Sequence, residues 1–543
     1  MPATTLAREA DLVAITDDWL DAEAALRAGR WVQAAELFAP LAAASDDPSA
    51  HEGLAQAAWW LDDADTALGA REAAYRSFRS SGDNRGAARA ATTLGYDSML
   101  FGKGVAVGRG WLARAADLLG ERADVPEAGW LAVRQAEVAL NVDHDAATAL
   151  YASTRAQQIG HDTADGDVVI VGQALAGLAT VRLGDVGAGM PLLDAAAAAA
   201  TAGDVEDLMW MGKICCWLIS ACQETHDLGR AGDWCARVED ICAQRELAPL
   251  FAVCRTQYAS ILLAGGNSQE AESTLVDVLA RLQQSRRLSR IDAVAQLGEL
   301  RRRQGRLAEA EDLLRQAGYR PAAVTSLAQL RLDNGDAGRA WSTIAELLRS
   351  IPPEQLLERV DALAVAVAAG VAAGNVDEAR EAAEELRSIA TRVGTPAFHA
   401  HADAAEARLA DEGDAVERWQ DAARRFHTAG LVFDEADARL ELAVALRRVG
   451  DDAGAREQEK SALAALSSLR GGQGGSSAAS FPLTERQTEV LRLIARGLSN
   501  AEIAAQLHLS EHTVHRHIAN IYNILELGSR AAAAAYAVSH GLG

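Results

Sequence analysis

The feature that most constrains this chain is a turn that keeps coming back. A Gly or another turn-forming residue is followed by a polar residue, and five positions after the first a small residue opens an apolar helix. The pattern reads "GRWVQA" from Gly29, "DDADTA" from Asp62, "HDAATA" from His144, "HDLGRA" from His226, "GNSQEA" from Gly266, "GRLAEA" from Gly305, "GDAGRA" from Gly335, "GNVDEA" from Gly374 and "GDDAGA" from Gly450. It also reads "GDAVER" from Gly413, weaker copies start at Gly102 and Gly184, and the starts lie about 38 residues apart on average. Glycine can take the left-handed backbone that ends a helix, and a small residue lets the next helix pack close. Between turns the apolar spacing is helical: Ala310, Leu313, Leu314 and Ala317 lie one turn or less apart on one face. A single hairpin cannot bury that face alone, so neighbours must stack into a superhelix with a concave wall. The expected fold class is all-α: a solenoid of about twelve helical hairpins over residues 1–470, with a four-helix unit after it. A generic α-bundle without true repeats is the competing reading.

Composition agrees. The chain has 543 residues, 49% hydrophobic, with only 11 prolines. Ala, Leu and Arg dominate, and all three enter helices cheaply. Lysine occurs only at Lys103, Lys213 and Lys460. The first twenty residues lack a basic segment followed by an apolar one, and no run of eighteen apolar residues occurs, so a cytoplasmic protein is expected. The formal charge of −24 belongs wholly to residues 1–480, because the last 63 residues carry five basic and five acidic side chains. Such an array is repelled by nucleic-acid phosphates and suits a protein- or ligand-binding scaffold. Trp59, Trp60 and the other tryptophans are expected to fill helix interfaces.

The cysteines, Cys215, Cys216, Cys222, Cys235, Cys242 and Cys254, form no C-x-x-C pair. They read as small core residues, with disulfides not expected in a reducing compartment. "HAHAD", His399 to Asp403, resembles a metal-ligand run but falls on a repeat helix and reads as a solvated face. No phosphate-binding G-x-x-x-x-G-K-[ST] occurs, "GYDSMLFGKGV" having the wrong spacing, and no nucleophile–base arrangement stands out. No catalysis, cofactor or metal is expected.

The stretch "GGQGGSSAAS", residues 471–480, has the composition of a flexible tether and marks a domain boundary. Beyond it, in residues 481–543, helix starts are legible. Thr484 with Gln487 and Ser499 with Glu502 have capping-box spacing, and Ser510 and Ser529 cap two further helices. Val490, Leu491, Ile494, Leu498, Ile503, Leu507, Val514, Ile518, Ile521 and Leu525 define one small core. On the third helix the opposite side carries Glu511, His512, His515, Arg516, Ala519 and Asn523. Two helices joined by the short "HLSE" turn, the second with a polar face, make a helix-turn-helix.

The runs "LTERQTEVL", "GLSNAEIAAQL", "LSEHTVHRHIANI" and "SRAAAAAYA" together resemble the LuxR-type (GerE-like) DNA-binding domain. The upstream array resembles tetratricopeptide-like repeats, in the longer-period form found in large LuxR-type regulators. The resemblance implies a third helix that reads the major groove and a fourth that commonly forms a dimer interface on DNA. It places His515, Arg516 and Ala519 at bases, Thr484, Asn500, Thr513 and His517 near the backbone, and Arg530 at the family arginine after the third helix. Ser499, Ser510 and Asn523 are added as polar groups at helix starts or on the exposed side. The chain departs from the family at His515, where lysine is usual, and at Ile524, commonly basic; each lost cation removes a phosphate contact. His508, His512, His515 and His517 cluster without a completing acid or cysteine, so a metal site is not expected there. The function expected is a transcriptional regulator binding double-stranded DNA as a homodimer, controlled by a protein or small-molecule effector on the array. The alternative is an interaction scaffold whose terminal domain no longer binds DNA.

Overall fold

The computed structural model describes residues 18–122, 124–245, 248–282, 289–469, 483–525, 527, 529–539 and 542. The stretch 471–480, expected as a tether, lies outside them. Among the described residues all regular structure is helical. Up to Leu469 the helices pair into twelve antiparallel hairpins, from 18–27 with Trp31–Ala44 to Val432–Arg448 with Asp452–Leu469. The architecture is a tetratricopeptide-like α-solenoid followed by four shorter helices, Glu485–Ala495, Asn500–Leu507, Glu511–Leu525 and Arg530–Ser539.

The recurring turn now has a stereochemical account. Its first residue is left-handed at every start but one, including the non-glycines Asp62, His144 and His226. The polar residue after it is often the N-cap. Asp63, Asp145, Asp185, Asn267 and Asp336 each accept a hydrogen bond from the backbone N–H three residues on. Such a cap contributes about 1 kcal/mol, so the pair both stops one helix and starts the next. Gly413 is the exception. It lies inside the Glu412–Ala429 helix, and the turn falls earlier, at Ala410 and Asp411, both extended.

The superhelix winds back on itself. Arg392 donates to the carbonyl of Leu183 at 2.8 Å, 209 residues away in sequence. One continuous core runs from Ala132 to Ala455. Trp59 and Trp60 are buried as expected, with Trp31 stacked on Trp60 at 4.4 Å. Within the core Glu137 is fully buried, held by Arg134 and Lys213, each at 2.5 Å. Both cations lie over the Tyr96 and Trp210 rings.

Two expectations are corrected. Cys216 and Cys254 are joined in a disulfide between the Leu208–Thr225 and Ala248–Ala264 helices, because consecutive hairpins bring the two Cα atoms to 5.2 Å. Cys215, Cys222 and Cys235 are buried, and the side chain of Cys242 lies outside the described residues. "HAHAD" is not a solvated face. The returning superhelix sets His401 against His226 and Phe426, while Asp403 pairs with Arg387 at 2.6 Å and Arg425 at 2.7 Å.

A cavity of about 1220 Å³ fills the inside of the coil. Its wall draws on repeats from Leu140 to Leu466 and includes Ser529 and Ala532 of the terminal unit. Among the described residues no helix is long and apolar enough to cross a membrane.

Candidate nucleic-acid interface

The terminal unit is built as its caps dictate. Thr484 and Ser499 each form a complete capping box, with Gln487 and Glu502. Ser510 Oγ accepts from the Thr513 N–H at 3.1 Å and opens the third helix. His508, left-handed, closes the second helix and makes the turn between them. Val490, Leu491, Ile494, Ile503, Val514, Ile518 and Ile521 are each at most 1% exposed, so the dry stripe faces the core. The helix-turn-helix geometry therefore follows from three serine/threonine caps, one left-handed residue and an apolar stripe of helical period.

The groups proposed for DNA separate into two sets. Thr484, Ser499, Ser510 and Arg516 are exposed; Thr513, His515, His517 and Ala519 are half-buried. These line the outer side of the third helix and the starts of the other helices. Burial, then the nearby Arg516 and Arg486 charges, hold His517 below its ordinary pKa. Arg486 itself is committed inward, donating to the Leu507 carbonyl at 2.6 Å and to Glu489. The side chain of Asn523 lies outside the described residues.

Asn500 and Arg530 lie elsewhere. Asn500 is 3% exposed. Its amide donates to the Asn334 carbonyl of the array and accepts from Arg530 at 2.9 Å. Arg530 also donates to the Leu498 carbonyl, and burial lowers its pKa. Both sit where the terminal unit meets the repeats.

That junction is extensive. Tyr522, fully buried, donates its hydroxyl to the Asp333 carbonyl at 3.0 Å. The Arg530–Ser539 helix packs against Val432–Arg448 and Asp452–Leu469. Gly305 touches the backbone of Leu527 so closely that a β-carbon there would stand 2.6 Å from the Leu527 oxygen. The core of the terminal unit continues into array residues such as Leu300, Phe433, Leu440 and Leu466. This contact was invisible in the sequence. Nothing local to Tyr522 reveals an acceptor 189 residues upstream.

Residues 481–537 match the family described as bacterial regulatory proteins, luxR family. The Response regulator protein VraR of Staphylococcus aureus is 48% identical over 60 residues, 11% of this chain and 29% of that protein. The VraR proteins of Staphylococcus saprophyticus and Staphylococcus epidermidis match to the same extent, so the chain spans 29% of the length of these curated relatives. Among solved structures, a Rap protein complexed with Competence and Sporulation Factor covers 71% of this chain and 99% of its own, at 12% identity and TM-score 0.41. The APC/C hetero-tetramer Cut9-Hcn1 covers 83% of this chain and 95% of its own, at 14% identity and TM-score 0.32. The segment 481–537 of this chain is a LuxR-family helix-turn-helix domain, carried on an α-solenoid of helical hairpins.

Proposed function

We propose that this protein is a DNA-binding transcriptional regulator whose array, residues 1–470, holds the domain at 481–543 in a restrained state, with 471–480 as the tether. The observation that carries the reading is the outward-facing side of the third helix, where Arg516 is exposed while the fourth helix is packed against the array. Arg516 is the side chain suited to a bidentate pair with guanine. Ser499, Ser510 and Thr484, at helix starts, suit phosphate oxygens, where backbone N–H groups and the helix dipole favour an anion. By helical spacing in the sequence, Asn523 shares the side of Arg516.

The restraint comes from the fourth helix. In the resemblance it pairs two copies on DNA; here it is occupied by the last hairpin of the array. The docked chain is the monomer, and release permits the homodimer. Ser529 and Ala532 border the interior cavity, so a small molecule or peptide lodged there touches the helix that must leave. An effector acts by binding the released state more tightly than the docked one. The test is selection of genomic fragments by the full-length protein, with and without Arg516→Ala. Sequence-selective binding that the variant loses supports the reading; selection unchanged by the variant leaves the scaffold alternative.

A wedge tests the restraint. Gly305→Ala drives a β-carbon into the Leu527 backbone, and overpacking of this kind costs about 1–3 kcal/mol. Gly374→Ala carries the same left-handed strain, φ +84 against +78, with nothing near its β-carbon. Gly305→Ala is therefore expected to tighten DNA binding roughly 5-fold or more relative to Gly374→Ala, measured by fluorescence anisotropy. Equal affinities for the two variants would remove the restraint from the account.

Protonation offers a smaller effect. A phosphate partner favours His517 in the charged form, so binding is linked to proton uptake. Because His517 is held low, its share of the gain comes mainly below the ordinary histidine range. DNA affinity is expected to rise from about pH 8 to about pH 6, and equal affinity at both would contradict it.

A further inference from the structure

Inside the coil, three side chains from three different hairpins converge. His226 is the left-handed turn residue after the Leu208–Thr225 helix, Asp361 lies on Leu356–Ala373, and His401 on Pro396–Leu409. One ligand atom from each lies within 4.8 Å of the other two. His226 Nε2 faces Asp361 Oδ1 at 3.6 Å. All three line the interior cavity.

From this convergence we propose that His226, Asp361 and His401 bind a divalent transition-metal ion of the zinc type. The chemistry of the set fits: two imidazoles and one carboxylate match late first-row divalent ions, and leave a coordination position open toward the cavity. The geometry fits too. Ligand atoms bonded at about 2.0–2.1 Å in a tetrahedral shell stand roughly 3.4 Å apart, close to the His226–Asp361 separation, so a side-chain adjustment of about 1 Å closes the third side.

A second observation points the same way. His401 Nε2 is buried and finds no hydrogen-bond partner among the described residues. Leaving such a nitrogen unsatisfied is costly, and a metal ion engages a lone pair that no protein donor reaches. The rings are also held in place. His226 stands edge-on to Phe398 at 5.7 Å and to His401 at 5.5 Å, and His401 edge-on to Phe426 at 5.0 Å. Apolar walls around the ligands restrict their rotamers and limit competing water.

Its consequence for the fold is a cross-link. The ion ties a turn in the sixth hairpin to helices of the tenth and eleventh, across 175 residues of sequence between His226 and His401, and fixes the closure of the coil. It is a site separate from the DNA-facing helix and stands or falls independently of the proposed regulation.

The experiment uses the full-length, untagged, chelator-treated protein. Cobalt(II) is titrated as a visible-absorption probe, and zinc(II) is then added in competition. One equivalent of cobalt with a ligand-field band of low coordination number, displaced by zinc, is expected, together with a rise in melting temperature. Asp361→Asn and His401→Gln should each weaken binding about 100-fold or more, since even outer-shell changes cost 10- to 100-fold. Asp361 has a 61% exposed side chain, so its variant keeps the fold intact. His399→Gln, two residues from His401 but outside the cluster, should bind as wild type does. Absence of a stoichiometric site, or the same affinity in wild type, Asp361→Asn and His401→Gln, overturns the proposal.

Discussion

Glu137→Ala is expected to destabilise the middle of the array by about 3–5 kcal/mol, the cost of removing one partner from a buried ion cluster. Glu137 is 0% exposed and takes both Arg134 and Lys213. Without it two cations remain in the core, with the Tyr96 and Trp210 faces and the more remote charge of Asp97 left to meet them. Burial already lowers Lys213, and Glu137 opposes that shift, so the variant also drives Lys213 toward its neutral form. Solenoids unfold in pieces, so a single global transition is the wrong readout. Hydrogen exchange should show lost protection over the helices Pro126–Asn141 and Leu208–Thr225, with the terminal hairpins unchanged. Glu23→Ala is the comparison: its partner Arg27 is 74% exposed and the pair stands at 3.9 Å, so the effect should stay within about 0.5 kcal/mol. Similar exchange in both variants would show that the buried cluster contributes little.

Arg516→Ala is expected to reduce affinity for the preferred DNA site roughly 10- to 100-fold, the discrimination carried by one bidentate arginine–guanine pair. The effect should be large here because few other cations serve the interface. Arg486 is committed to Leu507 and Glu489, and Arg530 to Asn500 and Leu498. Arg516→Lys keeps the charge and loses the fork, so it should retain phosphate affinity while relaxing sequence preference. Competition anisotropy against a scrambled site separates the two. Equal loss on preferred and scrambled DNA would assign Arg516 to phosphate and not to a base.

The hairpin array was legible because its signal is local. A left-handed residue and an Asp or Asn cap occupy adjacent positions, as at His144–Asp145 and Gly335–Asp336, and both act through the backbone of their own turn. Gly413 misled because glycine also occurs inside helices, and the extended residues Ala410 and Asp411 make that turn instead. The caps and core of the terminal domain were legible for the same reason. Whatever depends on the pitch of the superhelix was not. His401 looked like a surface residue because its neighbour His226 arrives from another repeat, and Cys216 meets Cys254 only once two hairpins have stacked. The resemblance alone places Asn500 near the DNA backbone; the Asn334 carbonyl that takes its amide is 166 residues away.

The return contact between Arg392 and Leu183 has an evolutionary consequence. Repeat arrays ordinarily tolerate gain or loss of whole units, since each touches only its neighbours. Here the stretch between the two residues behaves as a loop of fixed circumference. A hairpin added before Leu183 lengthens a free arm, but one inserted between His226 and Asp361 would rotate everything after it and carry Arg392 past its acceptor. Unit number should therefore be free to drift at the amino-terminal end and frozen within the closed stretch.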